Sequence, residues 1–139
     1  MTDLTERGLQ VFGELLGEDL AAQLRLGLSG TGFGAPVGKL ATDFVFGSIW
    51  SRDGLERRER SLVVISVLIT LHQVQELKNH VRIGLNNGLT IRELEEVLIQ
   101  TIPYVGFPAV ATASSAVVEV LRERGLDTTT VTAEERGLL

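Results

Sequence analysis

Apolar residues along this chain recur at three- and four-residue steps, never in sustained alternation, and that spacing predicts helices throughout. Residues 3–16 carry Leu4, Leu9, Val11, Phe12, Leu15 and Leu16 at roughly helical intervals, with Gly17 as the stop. Residues 18–28 continue with Leu20, Leu24 and Leu28. The stretch SGTGFGAP, residues 29–36, reads as a linker. A helix over 37–50 is expected to turn Leu40, Phe44, Val45 and Ile49 inward, with Trp50 closing it. Ser51-Arg52-Asp53-Gly54 has the composition of a turn.

Residues 55–71 start polar and become apolar nearly all round from Leu62 to Leu71, the pattern of a helix buried in a core or an interface. A shorter amphipathic helix follows over 74–86, with Gly88 placed to end it. Thr90 and Glu93 form a capping box for a helix bearing Leu94, Val97, Leu98 and Ile102. Pro103 and Gly106-Phe107-Pro108 are expected to interrupt or kink the chain. The last helix, 109–124, opens with the small-residue run AVATASSAV, which permits close approach of another helix or leaves room for a ligand. The expected fold is all-α, a single-domain bundle of about six or seven helices over 1–125, with a weakly ordered tail at 126–139.

Composition narrows the function. Cysteine is absent, which removes disulfides, thiol redox chemistry and Cys-ligated metals. A net charge of −5 and a pI near 5.0 argue against general nucleic-acid binding. The N-terminus lacks the apolar stretch of a secretory signal, and the run ending at Leu71 is too short to span a bilayer. The expectation is a soluble, cytoplasmic protein. Its 44% hydrophobic content points to surface buried between subunits, or equally to a large internal core. The glycines of 29–36 are no nucleotide loop: no strand precedes them, and the lysine that follows lacks the Gly-Lys-Ser/Thr context.

The chain's two histidines, His72 and His80, flank Glu76 at four-residue steps. On one continuous helix all three share a face. A single metal ion does not fit them, because residues eight apart on a helix are separated by about 12 Å, and the other ligands would have to come from elsewhere. Glu76 with His80 suits acid–base chemistry, the carboxylate orienting the imidazole and raising its proton affinity. The plainer reading is a solvated pair one turn apart, worth a few tenths of a kcal/mol. Arg52, Arg57, Arg58 and Arg60, interleaved with acids, read as a solvated first turn or as a source of one inward arginine for a carboxylate.

GSIWSRDGL (47–55), RERSL (58–62), ELKNHVRIGLNNGLTIRELEEVLIQ (76–100) and YVGFPA (104–109) resemble, in order and spacing, the carboxymuconolactone decarboxylase family. The resemblance runs from about residue 9 to 124 and implies the alkylhydroperoxidase D-like fold and a homo-oligomer, trimer or hexamer. The hydroperoxidase branch of that fold uses a Glu, a CxxC pair and a His. Those positions fall here at Ser61, Gln73, Glu76 and His80, so thiol peroxidase activity is excluded. The decarboxylase branch has Glu and His where Glu76 and His80 stand, and His72 then reads as a helix-end residue.

What the resemblance implies is a cofactor-independent lyase of aromatic catabolism that needs no metal. Loss of carbon dioxide from an unsaturated lactone leaves a dienolate, so the substrate is its own electron sink. The enzyme must stabilise the developing oxyanion and protonate carbon. His80 is the expected proton donor, with Glu76 orienting it. Arg52 or Arg60 is expected to bind the remaining carboxylate, and Trp50 and Tyr104 to line the pocket. The sequence departs from the family pattern at Ser48, Asp53 and Val105, and at Ala111 and Thr112, where polar residues are common. That less polar wall suits a different lactone, keto acid or polyketide-like intermediate with fewer carboxylates. A non-catalytic oligomeric binding protein is the alternative from another class.

Overall fold

The structure, a computed structural model, describes residues 1–138. Among them it is all-α: seven α-helices and one π-helical stretch, with no strand. None of these helices is long and apolar enough to cross a membrane. The chain forms two compact units, Met1–Arg57 and the residues from Arg58 onward.

The first unit holds α1 (Asp3–Leu16), α2 (Glu18–Leu28) and α3 (Ala35–Leu40), the last running into a π-helix, Ala41–Trp50. Thr2 caps α1, its side chain accepting from the Thr5 amide, and Gly17 ends the helix at φ 104°. The main packing in this unit is α1 on the π-helix. Two glycines make it possible. A Cβ on Gly8 would stand 2.1 Å from the Thr42 carbonyl oxygen, and one on Gly47 would stand 2.7 Å from the Leu4 carbonyl oxygen. Thr5, buried, donates to Asp43 at 2.7 Å across the same seam, and Phe12 meets Phe46 edge-on.

The π-helix overturns one expectation. Leu40, Phe44, Val45 and Ile49 do not point inward; all four are exposed, and Thr42, Gly47 and Trp50 are buried. An i→i+5 hydrogen-bond pattern widens each turn beyond 3.6 residues, so steps of four and five residues return to one face. Thr42 and Gly47, five apart, share the buried face, and the four apolar side chains share the exposed one.

The second unit contains α4 (Arg57–Thr70), α5 (Val74–Asn86), α6 (Ile91–Val105) and α7 (Phe107–Glu123). α7 packs against both α5 and α6. Ala109, Ala113 and Ala116 bring a near-smooth face to that packing, which is why the small-residue run reads as a site of close approach. The core joins Ile65 and Ile69 of α4, Leu77 and Val81 of α5, Leu94 of α6, and Val117, Val120 and Leu121 of α7. The Thr90–Glu93 capping box is formed in both directions at 3.0 Å, and Arg58 pairs with the same Glu93 carboxylate. Pro103 lies inside α6, two residues from its end.

The run from Leu62 to Leu71 is not buried all round. Ile65 and Ile69 are in the core, whereas Val63, Val67 and Leu71, four apart, form an exposed apolar stripe. Residues 126–138, expected to be weakly ordered, are tied back to α7. Arg122 pairs with Glu135 at 2.7 Å, Ser115 meets Glu134, and Thr132 and Glu135 form a second capping box. Arg122 and these Thr132 contacts hold the Glu135 carboxyl down at about 2.

In an open helix Gly→Ala gains about 1 kcal/mol. At Gly8 the sign should reverse, because the new methyl meets backbone that cannot rotate away. Gly8→Ala is expected to cost about 2 kcal/mol or more, read as a lowered urea midpoint at unchanged slope.

Candidate active site

The second unit's polar chemistry is organised by α5, and the rotation of that helix is fixed at its start. His72 sits at φ 56°, the one described non-glycine residue at positive φ. The Gln73 amide donates to the Leu68 carbonyl at 3.1 Å and the His72 amide to that of Ile69 at 3.2 Å. This is the hydrogen-bond pattern of a helix ended by a left-handed residue, a place usually filled by glycine. Histidine enters that region more readily than most side chains. His72 is exposed and sits at the end of a helix. At the other end of α5, Gly88 does the same at φ 95°, with the Leu89 amide donating to Gly84 at 2.9 Å.

Leu77 and Val81 are almost fully buried and turn the apolar face of α5 into the core. A side chain one position earlier lies about 100° round the helix. Glu76 and His80 therefore fall together at the border of that face. His80 is half-buried and Glu76 exposed. Glu76, near the N-terminus of α5, also meets the favourable end of the helix dipole. Its Oε1 accepts from Asn79 Nδ2 at 3.4 Å.

The charge balance at His80 differs from expectation. Burial disfavours the imidazolium more than the Glu76 carboxylate favours it, so the His80 pKa lies below its ordinary 6.5. At neutral pH His80 is mainly uncharged, and the expected rise does not occur.

Farther along the same side of α5, Asn87 Nδ2 donates to the Ser61 hydroxyl of α4 at 2.9 Å, and Ser61 is fully buried. Asn87 follows His80 by seven residues, two turns, so the Glu76–His80 line continues into a buried polar contact with α4. Sequence reasoning missed this pair. The available signal was the position of Ser61, four and eight residues before the core residues Ile65 and Ile69.

The structure brings Glu76 and His80 together on one helix. Arg60 lies half-buried on α4 and Tyr104 strongly exposed near the end of α6, both in this unit. Trp50, buried, and Arg52, exposed, belong to the first unit. Among the described residues no three His, Asp or Glu side chains converge as a metal site requires.

Residues 35–119 match the sequence model of the carboxymuconolactone decarboxylase family. The chain belongs to that family. The matched span, from α3 into α7, includes Glu76 and His80. Within the family, the chain is 36% identical over 121 residues to the 4-carboxymuconolactone decarboxylase of Acinetobacter baylyi, covering 87% of this chain and 89% of that one. It is 33% identical over 107 residues to the nitrosuccinic acid decarboxylase of Metarhizium robertsii, covering 76% and 73%.

The His80 environment has a thermodynamic consequence. Its folded pKa is depressed, so its contribution to stability is intact above 6.5 and is lost as pH falls from 6.5 through the folded value. His80→Gln is expected to abolish that loss. The difference in unfolding free energy between the variant and the parent should shift in the variant's favour as pH drops below 6.5, measured by urea titration at a series of pH values.

Proposed function

We propose that this family member is a cofactor-independent decarboxylase in which His80 protonates carbon and Glu76 tunes and orients it. The observation that carries the reading is the Glu76–His80 pair itself: a half-buried imidazole one helical turn from a carboxylate, in a chain closely similar over most of its length to two decarboxylases. The two acids those relatives are named for differ, but each can spread the electron pair left by departing carbon dioxide onto oxygen, through an unsaturated lactone or a nitro group. The substrate class proposed here is therefore an acid that carries its own electron sink, with a carboxymuconolactone-like lactone first.

In the proposed step the carbon–carboxylate bond breaks, carbon dioxide leaves, and its bonding pair passes into the substrate's conjugated system. The His80 imidazolium then delivers its proton to carbon and regains one from water. Burial makes that imidazolium a stronger acid than an exposed one, so it releases the proton readily. The anionic substrate, arriving beside it, favours the charged form until carbon dioxide has left. Arg60 is assigned to a remaining carboxylate and Tyr104 to the pocket wall, both in the same unit as His80. A related lactone, keto acid or polyketide-like intermediate with fewer carboxylates fits the small side chains Ala111 and Thr112 of α7 better than a dicarboxylate does.

We also propose a cytoplasmic homo-oligomer, a trimer or hexamer, that covers the Val63–Val67–Leu71 stripe. Three large apolar side chains in one exposed row are the surface that association removes from water. Val67→Asp should shift the protein to a smaller species in light scattering; an unchanged mass would remove this stripe from the interface.

With 4-carboxymuconolactone as the first substrate tried, His80→Gln should lower kcat about 10²–10⁴-fold, and Glu76→Gln should lower it less. The parent kcat/KM should fall with rising pH above the depressed His80 pKa, because the reacting form is the protonated one. Turnover that is indifferent to both substitutions, or a kcat/KM that rises through that range, would defeat the assignment.

A further inference from the structure

An exposed carboxylate on a helix has several rotamers and little to choose between them. Glu76 is such a group, yet its use beside His80 demands one placement. The structure provides a chain of contacts that selects it. Asn79, three residues on, donates from Nδ2 to Glu76 Oε1 at 3.4 Å. The amide's other end is engaged as well: Asn79 Oδ1 accepts from Arg82 Nη1 at 2.9 Å. Arg82 in turn is fixed by a two-pronged pair with Glu123, Nε to Oε2 at 2.8 Å and Nη2 to Oε1 at 2.9 Å. Such a fork sets both the position and the plane of a guanidinium. Glu123 is the last residue of α7, whose body is packed into the core through Val117, Val120 and Leu121.

Each contact orients the next. The Arg82 donor requires the carbonyl of Asn79 to face it, so the amide nitrogen of Asn79 must face the other way, toward Glu76. We infer that Asn79 and Arg82 are positioning residues that hold the Glu76 carboxylate in its place beside His80, anchored on Glu123. Neither touches the imidazole; both act through Glu76. This inference rests on the Glu76–His80 reading above and adds to it the parts that keep the pair together.

Two further cations flank the Arg82–Glu123 pair: Lys78, one turn before Arg82, pairs with Glu119 at 2.5 Å, and Arg124 donates to Asn86 at 2.8 Å and to the Arg82 carbonyl at 3.5 Å. They leave the Asn79–Arg82 chain as the described hydrogen-bonded route from α7 to Glu76.

The test needs no substrate. NMR titration of the imidazole, with His72→Gln as the common background so that His80 is the sole histidine, reads how strongly Glu76 acts on it. Glu76→Gln sets the scale by removing the carboxylate, and should lower the His80 pKa. Asn79→Ala should lower it in the same direction by at least half as much. Arg82→Lys, which keeps the charge and breaks the two-pronged geometry, should lower it by a smaller amount. A purely structural role for Asn79 would reduce the unfolding midpoint and leave this titration where it was. If Glu76→Gln shifts the pKa and neither Asn79→Ala nor Arg82→Lys does, the positioning assignment is wrong and the pair survives. If Glu76→Gln itself shifts nothing, the pair on which the assignment rests is not coupled, and both fall.

Discussion

The packing of α5 against α7 is the constraint on which the second unit's chemistry depends. Leu77 and Val81 are driven into the core by burial of apolar area, about 25 cal/mol for each Å² removed from water. α7 answers with alanines at 109, 113 and 116, so the two helices approach closely. Once that face is committed, the rotation of α5 is no longer free. His80 must then lie at the border of the buried face, between water and core, with Glu76 exposed one turn before it. Gly84 belongs to the same requirement: a Cβ there would stand 2.9 Å from a Leu89 methyl and 3.3 Å from one of Ile65.

That border position is what gives His80 its character. A fully exposed imidazole beside a carboxylate has its pKa raised, and a deeply buried one without a carboxylate is held neutral. His80 lies between, and burial prevails over Glu76. At the ends of α5, His72 and Gly88 each adopt a left-handed backbone, which stops the preceding helix and re-aims the chain within one residue.

Much was legible beforehand, for reasons that differ by element. The boundaries of α1, α5 and the capped start of α6 were readable because Gly17, Gly88 and the Thr90–Glu93 box act locally, through neighbours in the chain. Leu9, Leu15 and Leu94 were readable as core because an α-helix keeps a strict period. Residues 41–50 were misread because their turn is wider, and nothing within the segment announces that. The cause lies across the seam, where Gly8 and Gly47 let two backbones nearly touch. The run Leu62–Leu71 left core and interface open, because composition cannot tell which apolar face turns inward; within the chain Ile65 and Ile69 do, and Val63, Val67 and Leu71 do not.

The sequence by itself determined the helical class, the family and the pairing of Glu76 with His80, since a four-residue step on a helix is a local, fixed distance. It also excluded thiol chemistry through the absence of cysteine. Only the tertiary structure decided the charge of His80, because desolvation depends on what packs around a side chain and not on its neighbours in sequence. Only it joined Ser61 to Asn87 across 26 residues and Arg82 to Glu123 across 41. Contacts between helices follow from how whole faces are buried, and no local pattern of residues specifies them.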